Sequence, residues 1–315
     1  MPPDSSTFGE RLAGVLSPVV TPFRPDLSPD RIRLARHCKW LLANNVGLAI
    51  FGTNSEANSL AVGERMELLD FLVESGLDPG RMMPGTGACA LTDSVRLTAH
   101  AVKHGCAGVL MLPPFYYKGV SDDGLYRNFA EIIDRVGDTR LRVYLYHIPP
   151  VSQVPISLAL IERLLKSHPG NIAGVKDSSG DWNNTKAMLD QFAPHGFDVF
   201  AGSETFLLRN MRHGGRGCIS ATANVNPAAI HALCAGWTSK NADASQAGLD
   251  AIRSIFQKYP MIPALKQAIA FWGRDPEWAR VRPPLVELTP AQSGALTADL
   301  DRQGFVMPGL ETQSA

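Results

Sequence analysis

The chain has 315 residues, 45% of them hydrophobic, which is enough for one large domain or two small ones around a substantial core. Thirty Lys and Arg balance thirty Asp and Glu, so no charge excess points to nucleic acid or an acidic membrane surface. No run reaches the ~18 apolar residues of a membrane span, and Met1–Phe8 lacks a secretory pattern. Cys38, Cys89, Cys106, Cys218 and Cys234 are scattered without a CxxC pair, so reduced thiols in a cytoplasmic protein are expected.

Short apolar runs alternate with amphipathic segments along most of the chain. Gly14–Val20 predicts a first strand, and Ser28-Pro-Asp30 predicts the start of a helix. Gly47–Phe51 predicts a second strand. The helix after it carries Val62, Met66, Leu69 and Val73 at the spacing of one buried stripe. Arg81–Pro84, running into Gly85-Thr-Gly87, predicts a third strand. Thr92 or Asp93 is expected to cap the next helix, which presents Val95, Ala99 and Val102. Ala107–Leu112 predicts strand four, Leu141–Tyr146 strand five, Asn171–Lys176 strand six, Phe197–Ala201 strand seven and Arg216–Ser220 strand eight. Each has an amphipathic segment behind it. From about residue 238 the alternation gives way to helices over 242–259, 262–272 and 290–303, and Glu311–Ala315 is expected to fray.

Strands alternating with helices imply parallel pairing and right-handed crossovers. Eight such units in roughly 225 residues fit a closed (β/α)8 TIM barrel, here over 1–237, with a C-terminal helical appendage over 238–315. No GxGxxG follows the first strand, which argues against a dinucleotide fold. No HxH or HExxH pattern supports a metal mechanism, so neither cofactor nor metal is expected.

In such a barrel the chemistry sits where strands end. The strand-ending residues include Thr53, Asn54 and Ser55 after strand two, Tyr116 after strand four, and Tyr146 and His147 at strand five. They continue with Lys176 at strand six, Gly202, Ser203 and Glu204 after strand seven, and Ile219 at strand eight. Lys176 closes an apolar run and is followed by turn residues. It is either a lysine leaving the sheet and snorkelling to water, or a desolvated amine able to attack a carbonyl. A tyrosine on the neighbouring strand favours the second view, because Schiff-base chemistry on a 2-keto acid needs a proton shuttle within reach.

The set Thr21-Pro-Phe23, Gly85-Thr-Gly87, Tyr146-His-Ile-Pro149, Gly174-Val-Lys176, Ser220–Val225 and Pro263–Ala270 resembles the pyruvate-dependent class I aldolases. That family includes dihydrodipicolinate synthase, N-acetylneuraminate lyase and 2-keto-3-deoxy sugar-acid aldolases. The resemblance implies that Lys176 is the Schiff-base lysine and Tyr146 the proton shuttle. It implies that Thr53 relays to Tyr146, that Thr53 and Asn54 hold the pyruvyl carboxylate, and that Ser55 beside them belongs to the substrate-binding residues. Tyr116, or its neighbour Tyr117, matches a tyrosine exchanged between subunits of a tight dimer, and a homotetramer of two such dimers follows. Ser178, Gly202, Ser203, Glu204 and Ile219 fall where the remainder of the substrate is bound.

Two departures narrow the substrate. Asn54-Ser55 replaces the family's Thr-Gly. Val151 stands where dihydrodipicolinate synthases carry an arginine for a second carboxylate, and a valine offers an acid group no donor. The expected activity is therefore reversible aldol cleavage of a 2-keto-3-deoxy acid to pyruvate and an aldehyde. The alternatives are a dehydratase or deaminase using the same Schiff base, a synthase-type condensation disfavoured by Val151, and a non-catalytic binding barrel.

Overall fold

The computed structural model describes residues 11–310, so Met1–Phe8 and Glu311–Ala315 lie outside the described residues. Seven strands form one parallel sheet: β1 (Gly14–Ser17), β2 (Gly47–Leu48), β3 (Val109–Met111), β4 (Val143–His147), β5 (Ile172–Asp177), β6 (Asp198–Ala201) and β7 (Gly217–Ile219). Their order is β2-β1-β7-β6-β5-β4-β3. The helices between them are α1 (Arg31–Ala43), α2 (Val62–Glu74), α3 (Leu91–Lys103), α4 (Asp122–Val136), α5 (Pro149–Ser152), α6 (Leu158–Ser167), α7 (Trp182–Phe192), α8 (Leu207–Arg212) and α9 (Pro227–Ala235). Three more follow: α10 (Ala242–Phe256), α11 (Met261–Trp272) and α12 (Pro290–Arg302). Among the described residues, no helix is long and apolar enough to cross a membrane.

The two edges of this order, β2 and β3, are joined by the segment 82–86. Met83 N donates to Leu48 O at 2.8 Å, and Gly85 N donates to Ile50 O at 2.7 Å. On the other side, Leu110 N donates to Pro84 O and Thr86 N to Leu110 O, both at 2.9 Å. The sheet thus curls back on itself, and its inner cluster draws on all eight segments: Leu16, Ala49, Met83, Leu110, Ala173, Phe200 and Ile219 meet Tyr144 and Tyr146. A larger cluster fills the space between sheet and helices.

The expected third strand is therefore a segment held by isolated bridges, Leu48 to Met82 and Gly85 to Leu110. Pro84 has no N–H to offer a ladder. Gly85 passes so close to β2's exit that a Cβ would sit 2.2 Å from Phe51 O. The backbone of α2 supplies Arg65, whose guanidinium donates to Gly85 O. That demand turns α2: Arg65, Leu68, Leu69 and Leu72 are buried, rather than the expected stripe through Met66 and Val73.

Other boundaries shift for local reasons. Asp30, not Ser28, caps α1, its carboxylate accepting from Ile32 N at 3.1 Å and Arg33 N at 3.0 Å. In α3 the N-cap is Ala90, and Ala99 faces out while Leu97, Thr98 and Ala101 face in. The final helices start and end within a few residues of the expectation. They share the outer cluster with the strand–helix units, through Phe256, Leu265, Ile269, Leu296 and Leu300.

Candidate active site

β4 and β5 lie side by side in a register that pairs Tyr146 with Lys176 and His147 with Asp177. Covered by helices outside and side chains inside, both strands are buried throughout. Lys176 is only 3% exposed, and its Nζ lies 4.2 Å from the centroid of the Tyr146 ring. Contact with the ring face recovers part of what desolvating the amine costs. Gly174, two residues earlier on the same face, leaves room for Tyr144, since a Cβ there would meet the Tyr144 ring at 2.8 Å.

The end of β5 is clamped. The Asp177 carboxylate accepts from Thr185 Oγ1 at 2.6 Å, Ser179 N at 2.9 Å and Asn184 Nδ2 at 3.1 Å. His147 Nδ1 accepts from Ile156 N at 3.0 Å, which leaves its proton on Nε2, 4.0 Å from Asp177. Burial lowers the His147 pKa and the Asp177 charge opposes that. His147 is thus a buttress of the strand end.

Thr53 opens a 3-10 turn, Thr53–Ser55, beyond β2, and its Oγ1 is 3.2 Å from Tyr146 Oη. The turn closes on Glu56 in the left-handed region at φ 55°, which places the Glu56 carboxylate under α11. There Lys266, 0% exposed, donates to it, and Arg282 N donates at 2.9 Å. Lys266 Nζ also donates to Arg280 O at 2.8 Å. Burial pulls the Lys266 pKa down to about 8, with the Glu56 charge opposing. This buried pair ties the loop bearing Thr53 and Asn54 to the C-terminal helices.

A cavity of about 550 Å³ opens over Lys176. Its wall brings together Thr53, Asn54, Tyr146, Lys176, Gly202 and Ser203, which stand at strand ends, with Val151 and Ser178, which the resemblance pointed to. Gly202 lies so close to β5's exit that a Cβ would stand 2.0 Å from Ser178 Oγ. Val151, on α5, is 64% exposed and presents only methyl groups.

Four predicted residues lie elsewhere. Ser55 is buried, with its hydroxyl accepting from Gly52 N at 3.1 Å and its carbonyl accepting from Thr21 Oγ1 at 2.7 Å, so it shapes the turn. Ile219 belongs to the inner cluster. Glu204 is buried beneath the wall, where Ser220 and Thr222 hydroxyls donate to its carboxylate and Arg253 Nη1 donates at 3.2 Å. Tyr116 is 74% exposed on the loop after β3, edge-on to Tyr117 at 5.3 Å between centroids.

The cavity wall also contains Arg253 and Gln257 of the α10 region and Pro260–Pro263, which inspection of strand ends alone passes over. The signal was present: Leu249, Arg253 and Phe256 share one face at helical spacing, so an arginine stands on the buried stripe. With Lys176, Arg253 makes up the cationic part of the wall, and its Nε is buried without a hydrogen-bond partner.

The Dihydrodipicolinate synthetase family model matches residues 11–303. An uncharacterized DapA-like lyase from Chloroflexus aurantiacus is 33% identical over 92% of this chain and 96% of its own length. The crystal structure of dihydrodipicolinate synthase from Agrobacterium tumefaciens superposes with a TM-score of 0.86 at 29% identity, over 93% of this chain and 99% of that one. A prophage protein of the dihydrodipicolinic acid synthase family from Escherichia coli, solved in complex with pyruvate, gives a TM-score of 0.85 at 27% identity, over 93% and 99%. A buried lysine and tyrosine paired across two parallel strands, beneath a cavity, therefore sit in a chain that belongs to the dihydrodipicolinate synthetase family of pyruvate-dependent lyases.

Proposed function

We propose that this lyase is a class I aldolase that cleaves or forms the bond between pyruvate and an aldehyde, with a 2-keto-3-deoxy acid as substrate. The observation that carries this is the row Lys176, Tyr146, Thr53 in the wall of the cavity, with contacts of 4.2 Å and 3.2 Å. Lys176 Nζ adds to the C2 carbonyl, and water leaves as the iminium forms. The iminium accepts the electron pair of the C3–C4 bond as the aldehyde departs, leaving an enamine. Tyr146 Oη moves the protons of these steps, and Thr53 passes them on and holds the phenol in place. Asn54 in the same wall is suited to hold the pyruvyl carboxylate.

The other end of the substrate meets Ser178, Ser203 and Arg253. Hydroxyls suit the two serines, and the Arg253 guanidinium in the same wall suits an acidic or hydroxyl oxygen at the far end. A second activity is favoured by the likeness to a named dihydrodipicolinate synthase: condensation of pyruvate with aspartate semialdehyde. Val151 weighs against it, since nothing on α5 replaces the missing donor. Tyr116 and Tyr117, exposed in the isolated chain, are offered to a second subunit, and the reading includes a tetramer of paired dimers in the cytoplasm.

The test is borohydride trapping. Pyruvate and borohydride should add one reduced pyruvyl group to the peptide containing Lys176, and Lys176→Ala should fold, trap nothing and be inactive. A panel of 2-keto-3-deoxy acids should then release pyruvate together with an aldehyde. Absence of an adduct at saturating pyruvate sinks the Schiff-base proposal. Turnover confined to pyruvate plus aspartate semialdehyde, or keto acid consumed without aldehyde, replaces the aldolase by the synthase or by an eliminating enzyme.

A further inference from the structure

A second group of ligating side chains lies on the outer helix layer, outside the cavity wall. His100 is on α3 and His104 caps its C-terminus. A spacing of four sets both imidazoles on one helix face, with ring centroids 4.7 Å apart. Asp70 on the neighbouring α2 directs its Oδ1 at both, 2.8 Å from His100 Nε2 and 2.6 Å from His104 Nε2. Only the His104 contact has hydrogen-bond geometry; His100 Nε2 is buried with no hydrogen-bond partner. One carboxylate oxygen thus faces two imidazole nitrogens and satisfies one of them. The three donor atoms all lie within 4.8 Å of one another.

We infer that Asp70, His100 and His104 bind one divalent cation of the zinc type and thereby clamp α2 to α3. Two imidazole nitrogens and a carboxylate suit zinc, nickel or copper, whereas magnesium and calcium take oxygen ligands. Ligands about 2.0 Å from a tetrahedral ion stand about 3.3 Å apart. The present separations must therefore open by roughly half an ångström. Asp70, with 40% of its side chain exposed, supplies that movement while the helix backbone holds the histidines. Solvent reaches the same side, which leaves a path for entry and a position for water.

The placement gives the cation a purpose. α2 precedes the segment 82–86 in the chain and α3 follows it, and this segment is held by isolated bridges and by Arg65. Linking the two helices closes a loop around the least regular part of the sheet. The site stands apart from the aldolase proposal, because none of its three residues belongs to the cavity wall.

The experiment uses the full chain carrying Cys89→Ser, because an exposed free thiol such as Cys89 would compete for added zinc. Calorimetric titration with zinc chloride should show one equivalent bound, and magnesium chloride none. Losing a partner outside the ligand shell weakens metal sites by roughly 10–100-fold, so His100→Gln and His104→Gln should each weaken zinc by at least about tenfold. Zinc should slow hydrogen exchange across residues 82–87 in the parent, and not in His104→Gln. Zinc should also protect His100 and His104 from diethyl pyrocarbonate in peptide maps, a measurement that needs no histidine variant. No zinc uptake by the folded parent, equal affinity in both histidine variants, or undiminished modification of both histidines overturns the site. Binding without any change in exchange over 82–87 overturns the clamp.

Discussion

Replacing Thr53 by valine removes one oxygen and keeps the branched shape of the side chain. Tyr146 Oη then loses its 3.2 Å partner while Lys176, 4.2 Å from the ring, is untouched. A hydrogen bond to a group that carries charge during the reaction contributes about 1.5–3 kcal/mol. At 1.36 kcal/mol per factor of ten, kcat should fall by about 10- to 150-fold. KM should change by less than about threefold, since Thr53 acts on the proton and not on binding. Pyruvate trapping by borohydride at saturation should persist, because the nucleophile remains. Thr53 stands half-buried in the cavity wall, so the melting temperature should barely move. The assay is steady-state pyruvate release, with trapping and a thermal melt on the same sample. A kcat within about twofold of the parent refutes Thr53 as a relay; loss of trapping with intact folding shows that it acts on Schiff-base formation instead.

Lys266→Met should destabilise the chain by about 3–5 kcal/mol, because it strands the Glu56 carboxylate in the interior, and adding Glu56→Leu should recover most of that; urea unfolding of the single and double variants decides it, with equal losses counting against the argument. His37 is buried against Trp40 and Trp278, and burial pushes its pKa down to about 4 from 6.5. Between those values the unfolded chain binds the proton that the folded chain refuses, so stability is full above pH 6.5 and falls by up to about 3 kcal/mol as pH drops to 4. Melts of His37→Gln across that range should show a shallower slope than the parent, and parallel slopes would place the titration elsewhere. Gly202→Ala puts a Cβ 2.0 Å from Ser178 Oγ and 2.7 Å from Asp177 O; overpacking of this kind costs about 1–3 kcal/mol, and a KM for substrate unchanged from the parent would show that Ser178 does not touch it.

Lys176 and Tyr146 were legible because β4 and β5 are buried on both faces, so each reads as an apolar run whose last residues break the pattern. The alternation of strands and helices, the rim position of Thr53, Asn54 and Ser203, and the helices from residue 242 onward follow from the same local periodicity. The third segment was misread as a strand: Met82 and Met83 have the composition of one, but Pro84 and the close approach of Gly85 to Phe51 leave only bridges. Ser55, Glu204 and Ile219 were placed in the wall by their rank along the chain, and a strand-end position says nothing about which way a side chain turns.

What the sequence by itself determined is the alternation of elements and the identity of the residues that end each strand, since burial of one face or two imposes a period on neighbours in the chain. Only the tertiary structure decided that Glu56 meets Lys266, 210 residues away, that Arg253 reaches across from α10 to neutralise Glu204, and that Asp70 faces His100 and His104 from another helix. Those pairings join charges whose separation along the chain is unrelated to their separation in space. A buried charge must find its partner wherever packing brings one, and no local period records where that is.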